Sequence, residues 1–213
     1  INNPTIDQLL RGVTRFEASA AGQNGSLSQL SADVQNPEIS ARVSGPLSNL
    51  QIDARLANVG LIAPDFQGAL VVDGTVGQQS TGYAVDVDLD GPGGTTLAVD
   101  GSVANSGTAN LSVNGSAPLG LANVFISPRR LNGRAELNLR VVGPLALSSV
   151  AGTIVPQGAE FSAPTLGIIL TPITGQIQLV NGAAQIGLAA QGNNGGSIDV
   201  NGRLGLTSLD ADI

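Results

Sequence analysis

Cysteine, histidine, methionine, tryptophan and lysine are all missing from the 213-residue chain. Without cysteine there is no disulfide and no thiol chemistry. Without cysteine and histidine there is no Cys/His metal site, and without histidine no imidazole base for a nucleophilic triad or a general acid–base step. Aromatic residues amount to 2%, four Phe and one Tyr. That leaves almost no stacking platform for a sugar, so paired acids are not expected to form a glycosidase site. The runs Gly91-Pro92-Gly93-Gly94 and Gly192-Asn193-Asn194-Gly195-Gly196 lack the lysine that a phosphate loop requires. No enzyme activity and no cofactor are expected.

Charged residues are 12% of the chain, about half the usual quarter. All nine basic residues are Arg, and the net charge is −7, the wrong sign for a phosphate backbone. The charge is uneven. Residues 1–107 hold 11 acids and 4 Arg, whereas residues 108–213 hold 5 of each. Low charge combined with 42% hydrophobic residues argues for a folded chain. Residues 161–198 carry no charge, but Pro164, Pro172, Gln176, Gln178, Asn181 and Gln185 interrupt them. They contain no run of about 20 apolar residues, so no spanning helix is expected. The first residue is Ile1 rather than Met, which suggests a piece of a longer protein.

The dominant pattern has a period of two. Leu137, Leu139 and Val141 alternate with Glu136, Asn138 and Arg140, and Ile198 and Val200 alternate with Asp199 and Asn201. Residues 84–90, 52–56, 70–72, 97–99, 111–113, 177–179 and 186–188 follow the same rule. Successive strand residues point to opposite faces, so each segment is a strand with one apolar face. Turn signals recur every 8–12 residues or so, as in an all-β protein. They include Asn36-Pro37, Asp73-Gly74, Asp100-Gly101, Asn132-Gly133, Asn181-Gly182 and Asn201-Gly202. Some of these glycines must lie inside strands, and Gly202 interrupts an otherwise regular alternation. One short helix is expected over residues 4–12, with Asn3 as cap, Pro4 in the first turn, Ile6, Leu9 and Leu10 on one face, and Gly12 at its end. A weak repeat, Gly-Pro-Leu or Gly-x-x-Pro-Leu, appears at Gly45, Gly115 and Gly143. No linker separates domains, and residues 1–213 read as one continuous β segment.

Two constellations have competing readings. Asp86-Val-Asp88-Leu-Asp90-Gly91 resembles the opening of a calcium loop, but Leu97 stands where the closing carboxylate belongs. The other reading is a solvated strand face, and no metal is expected. Arg129, Arg130, Arg134 and Arg140 form the one basic cluster, either a solvated face or a contact for lipid phosphate.

The apolar face is nearly all Val, Leu, Ile and Ala, a smooth lining that would hold a linear hydrocarbon without fixing its register. Periodicity alone leaves a closed core equally open. The region from Leu147 to Leu206 resembles the C-terminal part of the TamB family, the inner-membrane subunit of the translocation and assembly module, within the AsmA-like envelope proteins. The matching pieces are Val150-Ala-Gly-Thr-Ile154, Gly158-Ala-Glu-Phe-Ser-Ala-Pro164, Leu166-Gly-Ile-Ile-Leu170, Ile173-Thr-Gly-Gln-Ile177 and Gly195-Gly-Ser-Ile-Asp-Val-Asn-Gly202. Pro118–Asn123 and Leu131-Asn-Gly133 are similar to alphaproteobacterial members.

The resemblance implies an elongated β-taco, a sheet folded lengthwise into a trough with an aliphatic interior. It implies a periplasmic segment of a protein anchored in the inner membrane, with an Omp85-type outer-membrane barrel as partner of the full-length protein. The implied function is to conduct or shield phospholipid acyl chains between the membranes during outer-membrane biogenesis. The alternatives are a scaffold or chaperone for outer-membrane protein insertion and a closed structural β fibre. An acyl chain of sixteen carbons costs about 12 kcal/mol to expose to water, which a continuous aliphatic groove would remove. The expected lining is Leu137, Leu139, Val141, Ile168, Leu170, Ile177 and Leu179, followed by Ile186, Leu188, Ile198, Val200, Leu204 and Leu206.

Overall fold

The computed structural model describes residues 12–24, 26–61, 64, 66–205 and 211–212. The helix expected over 4–12 lies outside the described residues, apart from Gly12. The protein is all-β, with 72% of the described residues in strands. The chain divides into two compact units, Ile1–Ser106 and Gly107–Ile213.

The first unit is a seven-stranded antiparallel meander. Its strands are β1 (Arg15–Gln23), β2 (Ser26–Gln35), β3 (Ile39–Pro46), β4 (Leu50–Leu56), β5 (Leu70–Gln79), β6 (Gly82–Gly91) and β7 (Thr95–Ala104). Each strand pairs with the one before and after it in sequence, which is the outcome expected when short turns join alternating segments. Among the described residues β1 pairs with β2 alone, so the meander does not close into a barrel.

The second unit repeats this plan with β8 (Thr108–Pro118), β9 (Arg130–Pro144), β10 (Val150–Ala163), β11 (Ile168–Val180), β12 (Ala183–Gly192), β13 (Ser197–Gly205) and the short β14 (Ala211–Asp212). These too are antiparallel neighbours in order. One helical turn, Asn123–Ile126, lies between β8 and β9. The Asn123 side chain fixes it to the sheet: its Oδ1 accepts from the Leu131 N–H at 2.7 Å, and its Nδ2 donates to the Leu131 carbonyl at 3.3 Å. Among the described residues no helix is long and apolar enough to cross a membrane.

The alternation read from the sequence is the alternation of burial. In β4, Leu50, Ile52, Ala54 and Leu56 are half-buried, while Gln51, Asp53 and Arg55 are exposed. The turn chemistry is met at Asn181-Gly182, where both residues have positive φ (51° and 71°), as the two-residue hairpin between β11 and β12 demands. At Asn36-Pro37 the Asn36 Oδ1 accepts from the N–H groups of Glu38 and Ile39 at 2.8 and 2.7 Å. The weak repeat also has a structural meaning. Gly45, Gly115 and Gly143 all take φ between 121° and 145°, and Pro46, Pro118 and Pro144 each close their strand. Other turn signals are corrected: Asp73-Gly74, Asp100-Gly101 and Asn132-Gly133 lie inside strands, and Gly202 lies inside β13, as its place in the alternation implied. At Gly74 and Gly133 the glycine is needed by the packing of adjacent backbones rather than by a reversal. A Cβ on Gly74 would sit 2.3 Å from the Asp86 carbonyl oxygen of the neighbouring strand.

Candidate functional site

The register of the second unit assembles the aliphatic residues into rows that cross the strands. One row runs Val113, Leu139, Gly152, Leu179, Ala184 and Leu204. The next runs Gly115, Leu137, Ile154, Ile177, Ile186 and Gly202. Val141 continues the same face between Leu111 and Val150, and Leu188 does so between Gly175 and Val200. Ile198 stands opposite Ala190, Leu170 opposite Phe161, and Ile168 opposite Ala163. Thus twelve of the expected lining residues share one face, and the thirteenth, Leu206, lies outside the described residues. No row contains a charged or hydrogen-bonding side chain.

This face is half-open to solvent. Among the described residues the buried apolar ones are seven alanines and Leu179, at 9% exposure, and no large side chain is fully buried. Ile168 and Ile198 are 38% and 42% exposed, and the remaining described lining residues are half-buried. A sandwich core would bury leucines of this kind almost completely. The first row also alternates in size, with Gly152 and Ala184 separating Leu139, Leu179 and Leu204, so small residues leave gaps between aliphatic ridges. The register shifts in β10 between Ile154 and Phe161, and in β11 between Leu170 and Ile173, re-aim the ends of these strands.

The sequence reading missed several members of this face. Leu111, Val113, Leu131, Ile154, Phe161 and Ile173 belong to it by register. Leu111 and Val113 carried the alternation signal, but cross-strand register was needed to put them beside Val141 and Leu139. The first unit has an equivalent face, of which one row runs Phe16, Val34, Ala41, Ala54, Val72, Leu89 and Leu97.

The opposite face is polar. In the first unit Glu17, Asp33, Arg42, Asp53, Asp73 and Asp88 form a row in register. Arg42 Nε donates to Asp33 Oδ2 at 3.0 Å, an exposed pair worth little in stability. A cavity of about 300 Å³ lies on this face, lined by Arg42, Asp53, Arg55 and Asp73 among others. Its lining also takes in Ala41 and Ala54 of the aliphatic row. Asp86, Asp88 and Asp90 are successive exposed residues of β6, not a loop. Among the described residues no group of three His, Cys, Asp or Glu is placed to hold a metal ion. Arg130, Arg134 and Arg140 also fall on the polar face, where Arg134 donates to the Ser116 hydroxyl. They are turned away from the aliphatic rows, so the basic cluster is not part of the lining.

No family model, curated protein or solved structure matches the chain.

Proposed function

We propose that the aliphatic face of the second unit receives the acyl chains of phospholipid and shields them from water. The observation that carries this reading is the rows around Leu139, Leu179, Ile177 and Ile186. They are continuous across strands, lack polar side chains, and apart from Leu179 and Ala184 are only half-buried in a folded protein. Half-exposed aliphatic surface of this extent is unfavourable in water and becomes favourable when a hydrocarbon covers it, by roughly 25 cal/mol per Å². The absence of hydrogen-bonding groups suits a chain that slides rather than one held at a fixed point.

The resemblance to the TamB family supplies the setting of the proposal. The chain would be a periplasmic segment of an inner-membrane-anchored protein, acting in phospholipid transfer to the outer membrane, with an Omp85-type barrel as partner of the full-length protein. No catalytic role is proposed. The test is lipid analysis of the purified protein by mass spectrometry under non-denaturing conditions. Phospholipid retained in stoichiometric amount supports the reading. Protein that is folded and free of lipid, and stays so after incubation with phospholipid vesicles, rejects it.

A further inference from the structure

We infer that one end of the second unit docks on the surface of an anionic phospholipid bilayer, with Leu166 and Ile169 entering the interface and Arg129 and Arg130 meeting phosphate. Because the strands are antiparallel neighbours, the connections 119–129, 164–167 and 193–196 all lie at the same end of this unit. Leu166 there is 65% exposed, and Ile169 is 39% exposed. Leu166 lies outside the aliphatic rows. Ile169 faces away from them, in register with Ser162 and Arg130. Exposed aliphatic residues gathered on one turn mark a contact surface. The backbone of that turn is already satisfied. The Ile169 N–H donates to Asn193 Oδ1 at 3.3 Å, and the Asn193 N–H donates to the Ile169 carbonyl at 3.0 Å. Asn193 Nδ2 donates to the Gly167 carbonyl at 3.4 Å, and the Gly167 N–H donates to the Pro164 carbonyl at 3.2 Å. A turn that keeps its own hydrogen bonds enters an apolar interface without stranding polar groups. Asn193 also latches two of the three connections together, so the aliphatic side chains are presented on a fixed support.

Charge selects the partner. Arg129 directly precedes β9 and Arg130 opens it. Both are exposed, and neither has an ion pair among the described residues. Arg130 and Ile169 share one face with Ser162 between them, two strand spacings or about 10 Å apart. Residues 161–198 carry no charge, so the turns 164–167 and 193–196 bring no acid to this end. Glu160 and Asp199 are set back along their strands, opposite Asn132 and Ala189. The negative excess of the chain falls in residues 1–107, so an anionic surface meets least repulsion at the second unit. Arginine binds phosphate bidentately, and an aliphatic anchor beside it adds burial in the headgroup region. The two together match an anionic bilayer.

Vesicle flotation of the full chain provides the test. Vesicles of phosphatidylcholine mixed with phosphatidylglycerol should carry the protein, and vesicles of phosphatidylcholine alone should carry far less. Binding should fall about fivefold for each arginine lost in Arg129→Gln and Arg130→Gln, and should weaken in high salt. Leu166→Ser combined with Ile169→Ser should reduce it about tenfold. These side chains are exposed, so the variants should fold, which thermal melts check. Leu145→Ser combined with Leu147→Ser is the control. Those residues are 67% and 62% exposed, but their turn lies at the opposite end of the unit, and binding should be unchanged. The natural chain has no cysteine, so one environment-sensitive fluorophore gives a second measurement. Attached at Leu166→Cys, its emission should shift to the blue when the mixed vesicles are added; attached at Leu145→Cys, it should not. Equal binding to both kinds of vesicle overturns the proposal, as does a folded chain that binds neither. So do Arg129, Arg130, Leu166 and Ile169 variants that bind like the natural chain, or a blue shift at 145 rather than 166. None of these four residues belongs to the aliphatic rows, so failure here leaves lipid retention by the purified protein unaffected.

Discussion

Leu139 of β9 stands directly opposite Gly152 of β10, and the glycine leaves no room for any other residue. A Cβ at position 152 would lie 2.1 Å from the Asn138 carbonyl oxygen and 2.8 Å from the Leu139 Cα, and the glycine φ is +131°. The strand backbones therefore approach each other where the aliphatic row is thinnest, and Leu139 and Leu179 flank the gap. Gly152→Ala should cost more than about 2 kcal/mol, because clash and backbone strain add. Gly187→Ala serves as the comparison, since an added Cβ there meets nothing nearer than 3.8 Å. Chemical denaturation should find Gly187→Ala close to the natural protein and Gly152→Ala far below it. Equal midpoints would mean that the strands do not approach as described.

Asn123 is the clamp between the helical turn and β9. Replacing it with Ala leaves the half-buried Leu131 N–H without its 2.7 Å acceptor. The expected loss is about 1–2 kcal/mol. Thermal melting of Asn123→Ala against Asn105→Ala, a change in the exposed turn after β7, should separate the two by several degrees. An unchanged melting temperature at position 123 would remove the clamp.

The acidic face of the first unit is under repulsion. Asp88 faces Asp73 across the strands and lies two residues from both Asp86 and Asp90 on the same side of β6. Like charges directly opposite are destabilising, so Asp88→Asn should stabilise the protein by a few tenths of a kcal/mol. The gain should shrink in high salt, which screens exposed charges. Melting curves at low and high ionic strength check both parts. A loss of stability in Asp88→Asn at low salt would show that the carboxylate has an attractive partner.

Charges placed on the aliphatic face should be tolerated according to exposure. Ile198→Asp, at a residue 42% exposed, keeps its carboxylate in water and should fold with little loss. Leu179→Asp, at 9% exposure, forces the charge out of water and should cost several kcal/mol. Circular dichroism and thermal melts of the two variants make the comparison. Equal, severe unfolding of both would indicate a closed core.

Much of this architecture is legible in the sequence because alternation and burial share one cause. A strand with one apolar face must alternate, and the segments around Leu137, Ile177 and Ile198 do so. The turn at Asn181-Gly182 is legible for a similar reason, since few residue pairs accept two positive φ values. Asp100-Gly101 and Asn132-Gly133 mislead by the same rule. Their glycines also have positive φ but sit within strands, and at Gly133 the Gly158 carbonyl of the neighbouring strand leaves no room for a Cβ. Register is the other hidden quantity. That Leu139 meets Gly152, or that Phe16 starts a row ending at Leu97, depends on pairings between strands that local pattern does not encode. Openness was hidden too, since the same aliphatic alternation serves a sandwich core and a half-exposed face.

The most direct test of lipid shielding compares the two faces of one strand. A photoreactive residue placed at Ile186 on the aliphatic face, or at Gln185 on the polar face, is irradiated with the full chain in phospholipid vesicles. Mass spectrometry then counts lipid adducts at each position. Adducts at 186 well in excess of those at 185, abolished when Ile198→Asp is added, are the expected result. Equal labelling of the two positions, or none at either in a folded protein, would contradict the assignment of the aliphatic face to acyl chains.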